Sequence, residues 1–231
     1  MFNVILDENN FFIKVKDNVD IQGGNVVQVE SLPEVESSSF LFAYSYENGE
    51  WVKHEDKYAE IQKFLLSSIV KSKKDELGKL CTSKIDYGVD VELTDGETKH
   101  FSLTNKDQMA INSLYDSSKT NDSMLLWHSD NGLTQEFSKE DIAKIYFAAK
   151  YHVMYHQTLI NYLNRTVESY TSADQIRNMT YSESSLSSEN YTKFYNIIAL
   201  YNNYSAIVNA KIKDISTEMG SDEDGVQVDN D

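Results

Sequence analysis

Apolar positions along this chain change period at about residue 53. Before that point they alternate. Val4 and Leu6, then Phe11, Ile13 and Val15, flank Asp7-Glu8-Asn9-Asn10, which reads as a hairpin turn. Gly23-Gly24 precedes a strand-like run from Val26 to Val29, and Pro33, the sole proline, stops it. Phe40, Phe42, Tyr44 and Tyr46 recur every second residue, and Asn48-Gly49 then turns the chain into Trp51 and Val52. The pattern predicts a small β-meander with one aromatic face formed by Phe42, Tyr44, Tyr46 and Trp51.

From 55 to about 81 the period becomes helical. Tyr58, Ile61, Leu65 and Ile69 mark one stripe, with Lys71, Lys73, Lys74, Asp75 and Glu76 expected on the solvent side. A second β element follows: Val89, Val91 and Leu93, a turn at Asp95-Gly96, and Phe101 and Leu103 on the return. Met109, Ile111 and Leu114 predict a short helix over 105–117. Met124 to Trp127 and Phe137 predict a hairpin around Asn131-Gly132.

The strongest periodicity lies beyond Ser138, a residue with the character of an N-cap and with Asp141 three positions on. Tyr146, Val153, Ile160 and Val167 take heptad a positions, and Ile142, Ala149, His156, Leu163 and Tyr170 take d. The g positions are Ile145, His152, Leu159 and Thr166, with no paired charge among them, so the apolar face is too broad for a two-stranded coil. A second stripe runs through Tyr191, Phe194, Ile198, Tyr201, Ser205, Val208, Ile212, Ile215 and Met219. The two helices pack as an antiparallel pair within one chain, or form seams between copies, with a homotrimer as the alternative. The whole reads as an α+β chain: a β-rich head over 1–54, a connector helix over 55–82, a domain of hairpins and long helices over 83–219, and a disordered acidic tail over 220–231.

Composition narrows the function. A formal charge of −16 opposes binding to nucleic acid phosphates and to anionic membrane surfaces. No apolar run reaches the length of a membrane span, and no signal-like segment follows Met1, which predicts synthesis in the cytoplasm. The lone cysteine, Cys81, rules out an intrachain disulfide and reads as a buried thiol. Fifteen tyrosines supply rings that tolerate both burial and water, as interfaces require.

Chemical motifs are sparse. His152 and His156 stand four apart on one helix face, but Val153 follows the first histidine where a zincin carries glutamate. The expectation is therefore no metal, no cofactor and no catalytic residue. His156 reads as a partly exposed histidine bonded to a neighbour, with a pH switch as its functional alternative. His54, His100 and His128 read as surface residues.

Several segments, in order, resemble a known group. Met1-Phe2-Asn3-Val4-Ile5-Leu6-Asp7-Glu8-Asn9-Asn10-Phe11 and Phe42-Ala43-Tyr44-Ser45-Tyr46-Glu47-Asn48-Gly49-Glu50-Trp51-Val52 resemble small tail proteins of phages and prophages of Gram-positive bacteria. Residues 84–179 resemble a domain of unknown function attached to such heads, through Thr98-Lys99-His100-Phe101, Asp107-Gln108, the Trp127 hairpin, Phe137-Ser138-Lys139-Glu140-Asp141 and Ala148-Ala149-Lys150-Tyr151-His152-Val153. The resemblance implies a structural tail or baseplate component that joins a fibre or receptor-binding protein to the particle. It implies assembly into a virion tail or tail-like particle after synthesis in the host cytoplasm, and no catalytic residues. A fibre-assembly chaperone is the alternative, and a carbohydrate-binding tip with Trp51 or Trp127 against a sugar is a third.

Overall fold

The computed structural model describes residues 1–15, 25–120, 125–130 and 132–220, with side chains through Asn203 and at Ala206. The expected Gly23-Gly24 lead-in, Met124, Asn131 and the acidic tail beyond 220 lie outside the described residues. Of the second stripe, Val208 and Ile212 are described in backbone only. The fold is α+β, with small antiparallel sheets and long helices. It forms two compact units: residues 1–72 with 171–177, and residues 73–170 with 178 onward.

In the first unit, β1 (Phe2–Leu6) pairs with both β2 (Phe12–Val15) and β3 (Asn25–Val29), giving the order β2-β1-β3. This is not the sequential order of a meander. β1 carries Val4, Ile5 and Leu6, all buried, and a strand apolar on both faces takes the centre of a sheet. Asp7 builds the first turn by accepting hydrogen bonds from the backbone N–H of Asn9 and of Phe11, each at 2.8 Å.

Residues 38–43 do not continue the expected strand. They form a 3-10 turn, capped by Ser37, that buries Phe40, Leu41 and Ala43 and leaves Phe42 exposed. Three consecutive serines, Ser37 to Ser39, offer hydroxyls that compete with a β ladder for backbone groups. β4 (Tyr44–Glu47) and β5 (Glu50–Lys53) then form the expected hairpin, with Asn48 and Gly49 both at positive φ. Val4, Leu6, Phe12, Val29 and Leu41 make the core of this unit, flanked by Tyr46 and Trp51.

Helix α1 runs Glu55–Tyr87, six residues past the expected end at 81; it carries Gly78 through without a break and ends at Gly88, which leaves the helical region. Its first half contributes to the first unit and its second half to the other. Gly88 adopts φ +95° and turns the chain directly into β6 (Val89–Glu92), which pairs with β7 (Thr98–Phe101) across the expected Asp95-Gly96 turn.

Helix α2 (Asn105–Ser118) starts at a full capping box between Thr104 and Asp107. Ile111 is buried in it, while Met109, expected inward, is 73% exposed. The strands β8 (Leu125–Trp127) and β9 (Gln135–Phe137) lead to α3 (Lys139–Ser169). After the short α4 (Ala173–Arg177) in the first unit, a strap over 178–187 leads to α5 (Ser188–Gly220).

The second unit is built around α3. Its N-terminal half closes a core of Val91, Leu93, Phe101, Leu103, Ile111, Leu125, Phe137, Ile142, Ile145 and Ala149. Ser138 caps it, accepting from the Asp141 N–H at 3.0 Å. The buried Asp141 carboxylate then accepts from the Thr94 N–H at 2.7 Å, the Thr94 hydroxyl at 3.0 Å and the Ser138 hydroxyl at 2.7 Å. Burial alone would raise the Asp141 pKa, but these donors outweigh it and hold the carboxyl below its usual value.

The C-terminal half of α3 packs against α5 in antiparallel order. Thr166 meets Asn190, Tyr162 and Tyr155 meet Phe194, and Tyr151 meets Tyr201. The α3–α5 seam therefore exists within one chain. Thr166, fully buried, fixes its register: its hydroxyl donates to the Tyr162 carbonyl at 2.9 Å and accepts from the Asn190 side chain at 2.9 Å and from the Ser187 N–H at 3.2 Å.

Two stability outcomes follow from these joints. A Cβ at Gly88 would overlap the Phe101 carbonyl and strain the backbone, so Gly88→Ala loses more than about 1 kcal/mol in urea unfolding. Asp141→Asn removes charge from a carboxylate satisfied by three donors, so it loses about 2 kcal/mol in the same assay.

Candidate functional site

The expected seam residues separate once α3 is folded. Ile142, Ala149, Leu163 and Val167 are buried as heptad spacing requires. Tyr146, Val153 and Ile160 are only half-buried, whereas the g-position residues Ile145, Leu159 and Thr166 are buried. The centre of the seam is thus the d–g edge. The cause is that α3 has neighbours on several sides, with α2 stacking Tyr115 on Tyr146 at 3.9 Å between ring centroids. On α5, Phe194 and Ile198 are buried and Tyr201 is half-buried. Tyr191, placed on the same stripe by spacing, is 42% exposed, alongside Tyr195, Ile197 and Leu200.

In the head, Tyr44, Tyr46 and Trp51 are half-buried and Phe42 is exposed. Phe12 bridges them, packing edge-on to Phe42 and to Trp51, and the Trp51 indole donates to the Ser31 carbonyl at 3.0 Å. Trp127 packs on the core of the second unit and stacks on His128. Behind the aromatic face, Ser45 is fully buried, its hydroxyl 2.6 Å from Glu47 and 2.8 Å from His54 Nε2. Serine, histidine and a carboxylate meet there, but Glu47 lies on the serine side of the imidazole and no surface reaches the hydroxyl. That arrangement suits a buried polar clasp and not a nucleophile.

The feature with most chemistry is a groove of about 750 Å³ in the second unit. The end of α1 supplies Lys84 and Tyr87, α3 supplies His152, Tyr155 and His156, the strap supplies Tyr181 to Ser184, and α5 supplies Tyr191. Lys73 anchors the strap. It was expected in solvent, yet it is buried, with its ammonium donating to the Met179 carbonyl at 3.1 Å and pairing with Glu76 at 2.9 Å. The (CH₂)₄ stem lets a lysine cross an apolar layer and still reach its partners.

His156 sits at the base of the groove. Its Nδ1 is 3.0 Å from the Tyr181 hydroxyl, and its carbonyl accepts from that hydroxyl at 3.3 Å and from the Cys81 thiol at 3.5 Å. Burial, then the nearby His152 and Lys84, push its pKa down to about 4. His152 Nε2 lies 2.8 Å from the Lys84 carbonyl, which only accepts, so that nitrogen carries the proton. Burial raises the Cys81 pKa over the opposing effect of Tyr181. It is the buried thiol expected.

Glu183 is spanned by two phenols. Tyr155 donates to one oxygen and Tyr195 to the other, the latter at 2.9 Å. Burial and then Glu183 push the Tyr155 pKa well up, and burial does the same for Tyr181. These phenols stay protonated donors.

His100, expected as a surface residue, is held by two partners. Its Nδ1 is 2.6 Å from Asp90 and its Nε2 is 2.6 Å from the Tyr87 carbonyl. Both partners accept, so the ring is held as imidazolium. Burial opposes this, but Asp90 and the Tyr87 carbonyl outweigh it and the pKa is raised. Among the described residues, no group of three or more His, Cys, Asp or Glu could hold a metal ion, and no helix is long and apolar enough to cross a membrane. No family model, curated protein or solved structure matches the chain.

The two histidines carry opposite pH signs. His100 stabilises fully below about pH 6.5, and that contribution is lost as pH rises through its raised pKa. His156 is held neutral, so stability falls as pH drops from about 6.5 to about 4. Unfolding midpoints measured at acid, neutral and alkaline pH check both. His100→Gln removes the alkaline loss and His156→Gln reduces the acid loss.

Proposed function

We propose that this chain is a structural component of a phage tail or phage-tail-like particle. It docks at the baseplate and helps attach a tail fibre or receptor-binding protein. The observation that carries an assembly role is the apolar surface left on α5. Ile197 is 41% exposed and Leu200 is 67% exposed, on the flank of the same helix whose Phe194 and Ile198 close the internal seam. Scattered apolar residues are ordinary on a surface, but at about 3.6 residues per turn Ile197 and Leu200 fall on one side of the buried Phe194–Ile198 stripe and Tyr191 and Tyr195 on the other, so one element offers an inner apolar contact and outer ones on both flanks. The ordered resemblance of 1–52 and 84–179 to small tail proteins supplies the setting. The acidic charge adds a preference for partners with basic docking surfaces.

Purified particles test the reading by mass spectrometry and cryo-electron microscopy. The chain is expected at a stoichiometric level, with density in the baseplate region. Cells that need the chain for folded fibre while their particles lack it would make it a chaperone instead. A double change of Ile197 and Leu200 to Asp is expected to leave the unfolding free energy of the isolated chain within about 1 kcal/mol of wild type, because both positions are exposed. The same change is expected to abolish incorporation into particles.

A further inference from the structure

The groove beside His156 gathers basic and hydroxyl groups that an assembly role does not require. Lys84 is exposed at its rim, and its ammonium has no acidic partner among the described residues. His152 is tied through Nε2 and His156 through Nδ1, so the opposite ring nitrogens, His152 Nδ1 and His156 Nε2, have no hydrogen-bond partner among the described residues. Ser182 and Ser184 line the strap side. Glu183 is the one carboxylate in the lining, and Tyr155 and Tyr195 occupy its two oxygens. The groove therefore holds donor groups and one ammonium with no acidic partner among the described residues, and its single carboxylate is already engaged by two phenols, in a chain of net charge −16.

We infer that this groove binds an oxyanion, a phosphate or sulfate group borne by a hydroxylated body such as a sugar, with Lys84 as its ion-pair partner and the imidazolium forms of His152 and His156 as donors. Charge-assisted hydrogen bonds to a tetrahedral anion suit a point-charge ammonium flanked by imidazoles and hydroxyls. The rings of Tyr87 and Tyr191 offer faces for an attached sugar. The repulsive field of the acidic surface is screened within about 8 Å at physiological ionic strength, so the local groups govern.

Binding is coupled to protons. Facing His156 are Lys84 and Cys81 from α1, His152 and Tyr155 from α3, and Tyr181 and Glu183 from the strap. Lys84 and His152 disfavour its charged form. An anion seated between them reverses that effect, so binding takes up a proton and tightens as pH falls.

Sulfate is the probe for the pH effect, because its own charge is constant over the range used. Calorimetry and histidine-ring NMR on the full chain, at constant ionic strength against chloride, are expected to show saturable binding that moves the His152 and His156 resonances. Affinity rises about tenfold from pH 7.5 to 5.5. Lys84→Glu, at an exposed position, is expected to abolish binding with the unfolding midpoint unchanged, and His152→Gln to weaken it about fivefold. Glucose 1-phosphate binds more tightly than sulfate, and glucose alone does not bind. Sulfate binding that fails to saturate, or that survives Lys84→Glu, overturns the inference. So does glucose binding as well as its phosphate, since the sugar and not the anion would then be recognised. None of these results depends on whether the chain enters a particle.

Discussion

Helix α3 imposes the constraint on which the second unit depends: thirty-one residues of one helix must be buried on more than one side. A lone amphipathic helix buries a single stripe. Here the N-terminal half closes a core with two hairpins and α2, and the C-terminal half lies against α5. Apolar contact alone would leave such a helix free to slide or rotate. Buried polar contacts prevent this. Asp141 fastens the start of α3 to the β6–β7 turn through Thr94, and Thr166 fastens its far end to Ser187 and Asn190. A misregistered helix would leave Asp141 or Thr166 buried without partners, a cost of several hydrogen bonds, so the polar pairs specify one register among many that are greasy enough.

Much of the local structure was legible because turns and caps are written in single residues. Asn48-Gly49 and Asp95-Gly96 place their hairpins through the conformations those residues allow, and Ser138 places the start of α3. Residues 38–43 were not legible as a 3-10 turn. Their aromatics alternate as a strand would, and only the serine hydroxyls argue otherwise. Strand order failed for a related reason: sequence proximity favours a meander, whereas β1 takes the centre because both of its faces are apolar.

The seam was half legible. Heptad spacing located α3 and α5 and the breadth of the apolar face, including the role of the g positions. It could not say which edge lies deepest, because that depends on where α2 and α5 attach. Lys73 shows the same limit. A lysine in a charged run has the composition of a solvated face, and nothing in the run reveals a carbonyl of residue 179 waiting across the unit. The groove was invisible for that reason too. Only the His152/His156 spacing hinted at it, and the strap residues that complete it lie 25 or more positions away in sequence.

The strap gives the exposed apolar flanks of α5 and the groove a common origin. It is held by contacts to polar ends: the Lys73 ammonium, the Tyr155 and Tyr195 phenols on Glu183, and Tyr181 on His156. Phenols with strongly raised pKa values keep their protons as donors, so the carboxylate of Glu183 is satisfied without a cation. The Lys84 ammonium is then left without a direct acidic partner among the described residues, while α5, reached through the strap, keeps Phe194 inward and turns Leu200 outward. Tyrosine makes this possible, since it can close a seam with its ring and satisfy a carboxylate with its hydroxyl. The high tyrosine count is therefore a property of the joint between strap and helices as much as of the outer surface.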